Sequence, residues 1–223
     1  MTFPEDYLHP VGRGAVFIEH DHGHPRVDES AYIAPTAVLS GDVTVGPHSR
    51  VLFGAVLTAE GGPVDVGAHC VIMEHAVVRG SRRHPVRLGH HVVVGPHAHL
   101  SGCAIDGEAR VATGAMVYNG ARLGAGADVG FGAMVYVNTV LPAQVAVPMG
   151  WFAGGDPAEL IPPGDSERIA AVMGPLDYAG TVFGISGPHE QSMMSQIAQR
   201  YARALALHRY DHDVTPDRVT RPR

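Results

Sequence analysis

A six-residue period between Ile105 and Val140 constrains the fold of this chain more than any other feature. An aliphatic residue begins each hexad, and a small residue follows four positions later. Neither the helical period of about 3.6 nor the strand period of about 2 produces that spacing. A hexad repeat is typical of a parallel β-helix, in which three short strands and three corners form one triangular rung. The aliphatic residues are Ile105, Val111, Val117, Leu123, Val129 and Val135, and the small residues are Ala109, Ala115, Ala121, Ala127, Ala133 and Thr139.

The same period begins near Ile33 and is interrupted twice, by TAEGGP (58–63) and GSRRHP (80–85). Sixteen hexads at three per rung predict roughly five rungs. The interruptions are expected to be corner loops that carry binding chemistry. We therefore predict an irregular N-terminal segment (1–30), a β-helix (31–158) and a C-terminal helical appendage with a tail (159–223).

The C-terminal region contains two predicted helices. Residues 165–173 form the first, which ends at Gly174-Pro175. The second follows Pro188 and has an apolar face that must cover the coil or a neighbouring subunit. Outward-facing apolar side chains on the coil predict that coils pack around a threefold axis as a homotrimer. Those side chains are Met116, Phe131, Met134 and Val137.

Composition excludes several functional classes. The net charge of -6 argues against binding to nucleic acid or to an anionic membrane. No segment approaches the roughly 18 apolar residues of a membrane span, and the N-terminus lacks the pattern of a signal peptide. Cys70 and Cys103 form no paired motif, which fits reduced thiols. We predict a cytoplasmic protein.

Fifteen histidines raise the question of a metal. The tract from His20 to His24 contains potential ligands, but Gly and Pro bound it, and a solvated surface loop is the favoured interpretation. His75 and His97 follow their aliphatic openers by three positions and should stack on successive rungs, about 4.8 Å apart. They could share a metal with His99 or with Glu74 of a neighbour, although an exposed edge without metal is favoured.

Several phrases resemble a known family. They are VDVGAHCVIMEHAVVRG (64–80), PVRLGHHVVVGPHAHLSGCAI (85–105) and GGDPAEL (154–160). They are similar to phrases of the γ-class carbonic anhydrases and of the related hexapeptide-repeat, or isoleucine-patch, acyltransferases. The resemblance implies a left-handed parallel β-helix followed by C-terminal α-helices. It also implies a pocket between subunits, where active members hold zinc with three histidines.

The zinc ligands of that family do not carry over to this chain. Its three histidine positions correspond to Arg79, Pro96 and Ser101, and none of these supplies an imidazole. A catalytic zinc site needs three protein ligands and an open position. We therefore predict no metal and no cofactor.

A different set of residues occupies the same column of the coil. Arg79, Ser101 and Tyr118 should lie on successive rungs, where a guanidinium below hydroxyls would bind a carboxylate or phosphate. Glu74 could act as a general acid or base, or could instead form an intersubunit salt bridge with Arg79 that only stabilises the trimer. The predicted catalytic residues are Glu74, Arg79 and Tyr118, and the predicted substrate-binding residues are His75, His97, His99, Ser101 and Asn119.

Three functions are compatible with these residues. The leading hypothesis is a metal-independent enzyme or binder that holds a small anionic, carboxylate-bearing metabolite in the intersubunit pocket. The second is an acyltransferase that uses acetyl-coenzyme A, with His84 as the general base. The third is a non-catalytic scaffold subunit whose helical tail (188–209) docks a partner.

Overall fold

The fold is a parallel β-helix of about eight turns with a short helical region after it. The computed structural model describes residues 14–185, 187 and 192–216. Its strands, in chain order, are β1 (Val16–Glu19), β2 (Arg26–Val27), β3 (Tyr32–Ile33), β4 (Val38–Ser40), β5 (Val43–Val45), β6 (Arg50–Val51), β7 (Val56–Glu60), β8 (Val64–Val66), β9 (Val71–Ile72), β10 (Val77–Ser81), β11 (Val86–Leu88), β12 (Val93–Val94), β13 (His99–Ser101), β14 (Ala104–Ile105), β15 (Arg110–Val111), β16 (Met116–Val117), β17 (Arg122–Leu123), β18 (Asp128–Val129), β19 (Met134–Val135), β20 (Val140–Leu141), β21 (Ala146–Val147), β22 (Phe152–Gly154), β23 (Glu159–Ile161) and β24 (His212–Asp213).

Three parallel sheets form the sides of the coil. The first sheet contains β1, β4, β7, β10, β13, β16, β19 and β22, with antiparallel β24 and β23 at its two ends. The second sheet runs from β2 to β20, and the third from β3 to β21. Each strand pairs with the strand three places later along the chain, as a triangular coil requires. The β-helix prediction is confirmed.

The hexad explains both the core and the corners. The aliphatic openers are completely or almost completely buried inside the coil, and the small residues four places later are buried at the corners. Five histidines stand at corner positions with φ of 57–60°, a left-handed conformation in which His is enriched over most residues. They are His48, His69, His75, His91 and His97. Part of the unusual histidine content therefore belongs to the corners of the coil.

The coil begins earlier and has more turns than the hexads indicate, whereas its last strands lie within the predicted bounds of 31–158. Strands β1 and β2 lie in the stretch predicted to be irregular, and Phe17 of β1 is in register with Leu39. Strands β20 to β22 continue the coil beyond Thr139. The rung count of about five is therefore too low. The first turn escapes detection because its residues VFIEHDHGHPRV lack the alternation of aliphatic and small residues.

Both predicted C-terminal helices are present. Helix α1 spans Ser166–Met173, and its N-terminus is capped by the Asp165 side chain, which accepts from the Arg168 N–H. Helix α2 spans Met193–Leu205 and is capped by Ser192. Between them lie a 3₁₀ turn (Gly174–Leu176) and a π-helical turn (Ala179–Phe183), and a second 3₁₀ turn (Ala206–Tyr210) follows α2.

The C-terminal region covers the first sheet. Helix α1 and the turns after it pack against Tyr136, Val137, Phe152 and Ile161 on the last turns of the coil. At the other end, β24 pairs antiparallel with β1 and covers an edge that would otherwise be open. No helix in the described part of the chain is long and apolar enough to cross a membrane.

Candidate functional site

A cavity of about 560 Å³ lies between the first sheet and the C-terminal segment. Strands β7, β10, β13 and β16 supply its floor, and the π-helical turn with α2 supplies its roof. The floor contributes Glu60, Arg79, Ser81, His99, Ser101, Tyr118 and Asn119. The roof contributes Tyr178, Val182, Phe183, Arg200, Tyr201, Arg203, Ala204, Leu205 and Leu207.

Arg79 is the central cation of the floor. Its register places it between Thr58 on β7 and Ser101 on β13. One terminal nitrogen donates to the Tyr201 hydroxyl of α2 over 2.6 Å. The Nε atom is buried and has no hydrogen-bond acceptor among the described residues. Because a buried, unsatisfied donor of a charged group is costly, this nitrogen makes the surroundings of Arg79 a candidate ligand site.

His99 and Ser101 form a polar pair next to Arg79. His99 Nε2 lies 2.9 Å from Ser101 Oγ, and the two atoms share a hydrogen bond. Burial, followed by the positive charge of Arg79, lowers the pKa of His99 below its usual value. The imidazole is therefore neutral near pH 7 and can accept or donate a proton. Ser101 and the neighbouring Asn119 are both buried polar residues.

Aromatic rings form one wall of the cavity. The rings of Tyr118 and Tyr178 meet edge to face with centroids 6.2 Å apart, and Tyr136 stacks on Tyr178. Phe183 contacts Tyr201 in the same edge-to-face manner at 5.7 Å. Burial raises the pKa of both Tyr136 and Tyr178, so their hydroxyls remain protonated. This wall favours a ligand with an apolar or planar part.

The cavity is basic although the chain is acidic. Among the described residues, five arginines and two carboxylates line it, whereas the whole chain has a net charge of -6. Arg200 donates to the carbonyls of Phe183 and Gly184, over 2.9 and 2.6 Å. The Arg83 guanidinium lies beside Gly184, which adopts a φ of 66° that favours glycine. This local excess of positive charge favours an anionic ligand.

The predicted site residues separate into two groups. Arg79, Tyr118, His99, Ser101 and Asn119 all line the cavity. The others lie on corners of the coil, outside its lining.

The corner group consists of Glu74, His75, His97 and Pro96. The rings of His75 and His97 stack with centroids 5.1 Å apart, as their spacing predicts. Among the described residues, no third metal-ligating side chain joins this pair. His99 lines the cavity instead, and Glu74 does not line it, so a role of Glu74 across a subunit interface stays a prediction.

The roof of the cavity comes from the same chain as its floor. Within one chain, α2 and the π-helical turn close the cavity, and the pocket between subunits that the sequence resemblance implies stays a prediction. Arg82 and Arg83 belong to the second interruption, where binding residues were expected. Tyr178, Arg200 and Arg203 were missed, because nothing in the local sequence shows which part of the coil the helix covers.

His84, the predicted general base of an acyltransferase, does not line the cavity. Its Nε2 atom lies 3.3 Å from the Thr181 carbonyl, so the π-helical turn covers it. The His20 tract also differs from the prediction. Asp21, His22 and His24 are exposed as expected, but His20 is only 3% exposed and contacts the C-terminal tail.

Comparisons with known proteins agree with the resemblance. Over 154 residues the chain is 31% identical to γ carbonic anhydrase 1, mitochondrial, of Arabidopsis thaliana, which covers 66% of this chain and 54% of the relative. Over 97 residues it is 37% identical to γ carbonic anhydrase 3, mitochondrial, of the same plant, which covers 41% of this chain and 38% of the relative. The chain therefore spans about half the length, or less, of these relatives. No family model matches it.

A hexapeptide transferase family protein from Anaplasma phagocytophilum is a similar solved structure. The two share 21% sequence identity with a TM-score of 0.48, and the match covers 89% of this chain and 99% of that one. The repeat, the parallel coil and the sequence matches together make the chain similar to these γ carbonic anhydrases over the matched residues.

Proposed function

We propose that the cavity beneath the C-terminal segment binds a small carboxylate-bearing metabolite, and that it does so without a metal. The observation that carries this proposal is Arg79, whose buried Nε has no acceptor among the described residues. No described carboxylate lies within 4 Å of its guanidinium. A carboxylate ligand would supply the missing acceptor and charge together.

The neighbouring side chains suit the rest of such a ligand. Ser101 and Asn119 offer a hydroxyl and an amide beside Arg79, and Tyr118 offers a second hydroxyl one strand further. The neutral His99 is positioned to exchange a proton with a bound ligand, which makes it a better candidate acid–base group than Glu74. Arg200 and Arg203 extend the positive charge into the roof.

The family's zinc does not fit the residues that occupy its ligand positions. Arg79 and Ser101 are neighbours in register on β10 and β13, and Pro96 lies on the corner before β13. A guanidinium repels a dication, and proline has no side-chain donor atom. We therefore propose that zinc-dependent carbonic anhydrase chemistry has been lost at these positions.

The decisive experiment is a titration with small mono- and dicarboxylates and with inorganic phosphate, followed by calorimetry. Arg79→Gln should weaken carboxylate binding at least tenfold, since hydrogen bonds to a charged group contribute about 1.5–3 kcal/mol. Arg110→Gln is the matched control, because Arg110 pairs with Asp128 on the outside of the coil. Equal responses of all three proteins would refute the proposal.

The same titration separates the two alternatives. Acetyl transfer from acetyl-coenzyme A is not expected, because His84, the candidate general base, is covered by Thr181 and does not line the cavity. Saturable binding of acetyl-coenzyme A, together with acetyl transfer that His84→Ala abolishes, would instead support the acyltransferase. If no small anion binds, and the tail captures a protein partner, the scaffold hypothesis gains the support.

We further propose that the protein is a cytoplasmic homotrimer. Phe131 and Met149 are exposed on adjacent turns, at the corner that follows the third sheet, and Phe53 is exposed at the same corner several turns earlier. Cys70 and Cys103 are buried free thiols, as expected in a reducing compartment. Light scattering should give three chains per particle, and Phe131→Glu should give monomers. A monomeric wild-type protein would contradict the assembly.

A further inference from the structure

A second cluster of chemically active side chains lies where the tail returns to the first turn of the coil. His20 follows β1, and His208 and Asp211 belong to the tail after α2. The two imidazole rings stack with centroids 4.3 Å apart. The ligand atoms of His20, His208 and Asp211 all lie within 4.8 Å of one another. These residues are far apart in sequence, so only the docked tail assembles the cluster.

Carboxylates flank the imidazole pair on opposite edges. Both Nδ1 atoms are hydrogen-bonded to the Asp211 carboxylate. His20 Nδ1 lies 2.7 Å from Oδ1, and His208 Nδ1 lies 2.8 Å from Oδ2. On the other edge, His208 Nε2 lies 3.1 Å from Glu60 Oε2, and His20 Nε2 lies 3.9 Å from the same oxygen. A Glu60 oxygen also accepts from the Thr58 hydroxyl over 3.0 Å, which orients this carboxylate.

This arrangement has the composition of a metal centre with its supporting shell. Two imidazoles and a carboxylate are a set of ligands that Zn²⁺ and similar ions prefer. Histidine ligands commonly donate their second ring N–H to a carboxylate, which orients the ring and increases its basicity. Glu60 stands where it can accept that hydrogen bond. His20 is buried, whereas His208 lies near the surface and Asp211 and Glu60 are partly covered, so an ion could enter from the side of His208.

We propose that His20, His208 and Asp211 bind one divalent transition-metal ion of the Zn²⁺ class, with Glu60 as the outer partner of the histidines. The ion would fasten the tail to the first turn of the coil. This inference goes beyond the proposed function, because anion binding at Arg79 does not require the ion. A site of this kind is absent from the unfolded chain, so its binding free energy stabilises the closed tail.

The test uses the full chain, stripped with a chelator and titrated with Zn²⁺. We expect one ion per chain by calorimetry and elemental analysis. Addition of Zn²⁺ should also slow proteolysis of the tail. His20→Gln and Asp211→Asn should each weaken binding more than tenfold, and Glu60→Gln should weaken it less than they do. His97→Gln, which alters an exposed corner histidine, is the matched control and should bind like wild type.

Several outcomes would overturn the proposal. Unchanged Zn²⁺ binding in His20→Gln or Asp211→Asn would do so, as would loss of binding in the control. Loss in Glu60→Gln with retention in Asp211→Asn would exclude Asp211 as a ligand. Circular dichroism confirms that each variant keeps its coil, and two ligand variants guard against one that fails to fold. Arg79→Gln should retain Zn²⁺, so failure of either proposal can be recognised separately.

Discussion

The coil and the C-terminal segment from α2 onward are stabilised in different ways. Aliphatic residues in the coil interior are almost completely buried, and each contacts its equivalents on the turns above and below. Helix α2 contains no buried residue, and polar contacts such as that from Arg79 to Tyr201 hold it in place. The coil therefore provides most of the buried apolar core and the floor of the cavity, whereas the segment that closes the cavity depends on contacts near the surface.

The largest expected effect is a difference in stability between variants of the coil interior and variants of helix α2. Leu123→Ala empties a site that is 1% exposed in the regular part of the coil and should lower the free energy of unfolding by about 2–5 kcal/mol. Leu205→Ala in α2 removes a side chain that is 37% exposed and should cost less than about 1 kcal/mol. Denaturant unfolding of both variants measures the difference. Equal losses would show that the tail contributes to the same cooperative core.

Limited proteolysis should separate the two regions directly. Trypsin is expected to cut first after Arg200, Arg203 or Arg209, because the tail can open without unfolding the coil. Mass spectrometry should then find an intact fragment that contains the whole coil. First cleavage at Arg82 or Arg83, in the second interruption of the hexads, would mean that this loop opens more readily than the tail.

The hexads predict most of the fold, because the fixed period shows which aliphatic residues stack on one another in successive turns. The same regularity predicts that Arg79, Ser101 and Tyr118 share a column and that His75 stacks on His97. Contacts between the coil and the tail have no period. Tyr201 lies in the second predicted helix, but nothing in the local sequence shows that it contacts Arg79. His20 was predicted to be solvated because its partners, His208 and Asp211, are far away in the sequence.

A smaller effect is expected from the contact between floor and roof. Tyr201→Phe removes the hydroxyl that accepts from Arg79 and should destabilise the closed tail by about 1 kcal/mol, roughly fivefold in the opening equilibrium. Hydrogen exchange of α2 amides measures this opening. Tyr210→Phe, which alters an exposed tyrosine beyond α2, should leave the exchange unchanged. Equal exchange in both variants would mean that the contact does not close the tail.

The smallest expected effect is a dependence on pH within the floor. Burial and the charge of Arg79 lower the pKa of His99, so the folded protein binds its proton less readily than the unfolded chain. The neutral His99 is therefore favoured by folding, and the free energy of unfolding should decrease as pH falls below about 6.5. Protonation adds positive charge beside Arg79, so carboxylate affinity should rise a few-fold over the same range.

Calorimetry between pH 7.5 and pH 5 checks the change in affinity. His99→Gln should remove the rise while it preserves a polar side chain next to Ser101. A rise of the same size in this variant would assign the titration to another group.

The central claim is that a small anion binds at Arg79 beneath the tail of the same chain. Hydrogen exchange with and without a saturating carboxylate tests it most directly. The account predicts slower exchange in α2 and in strands β10 and β13, and no change in Arg79→Gln. Protection confined to the exposed corners near His75 and His97, or protection that survives Arg79→Gln, would contradict it.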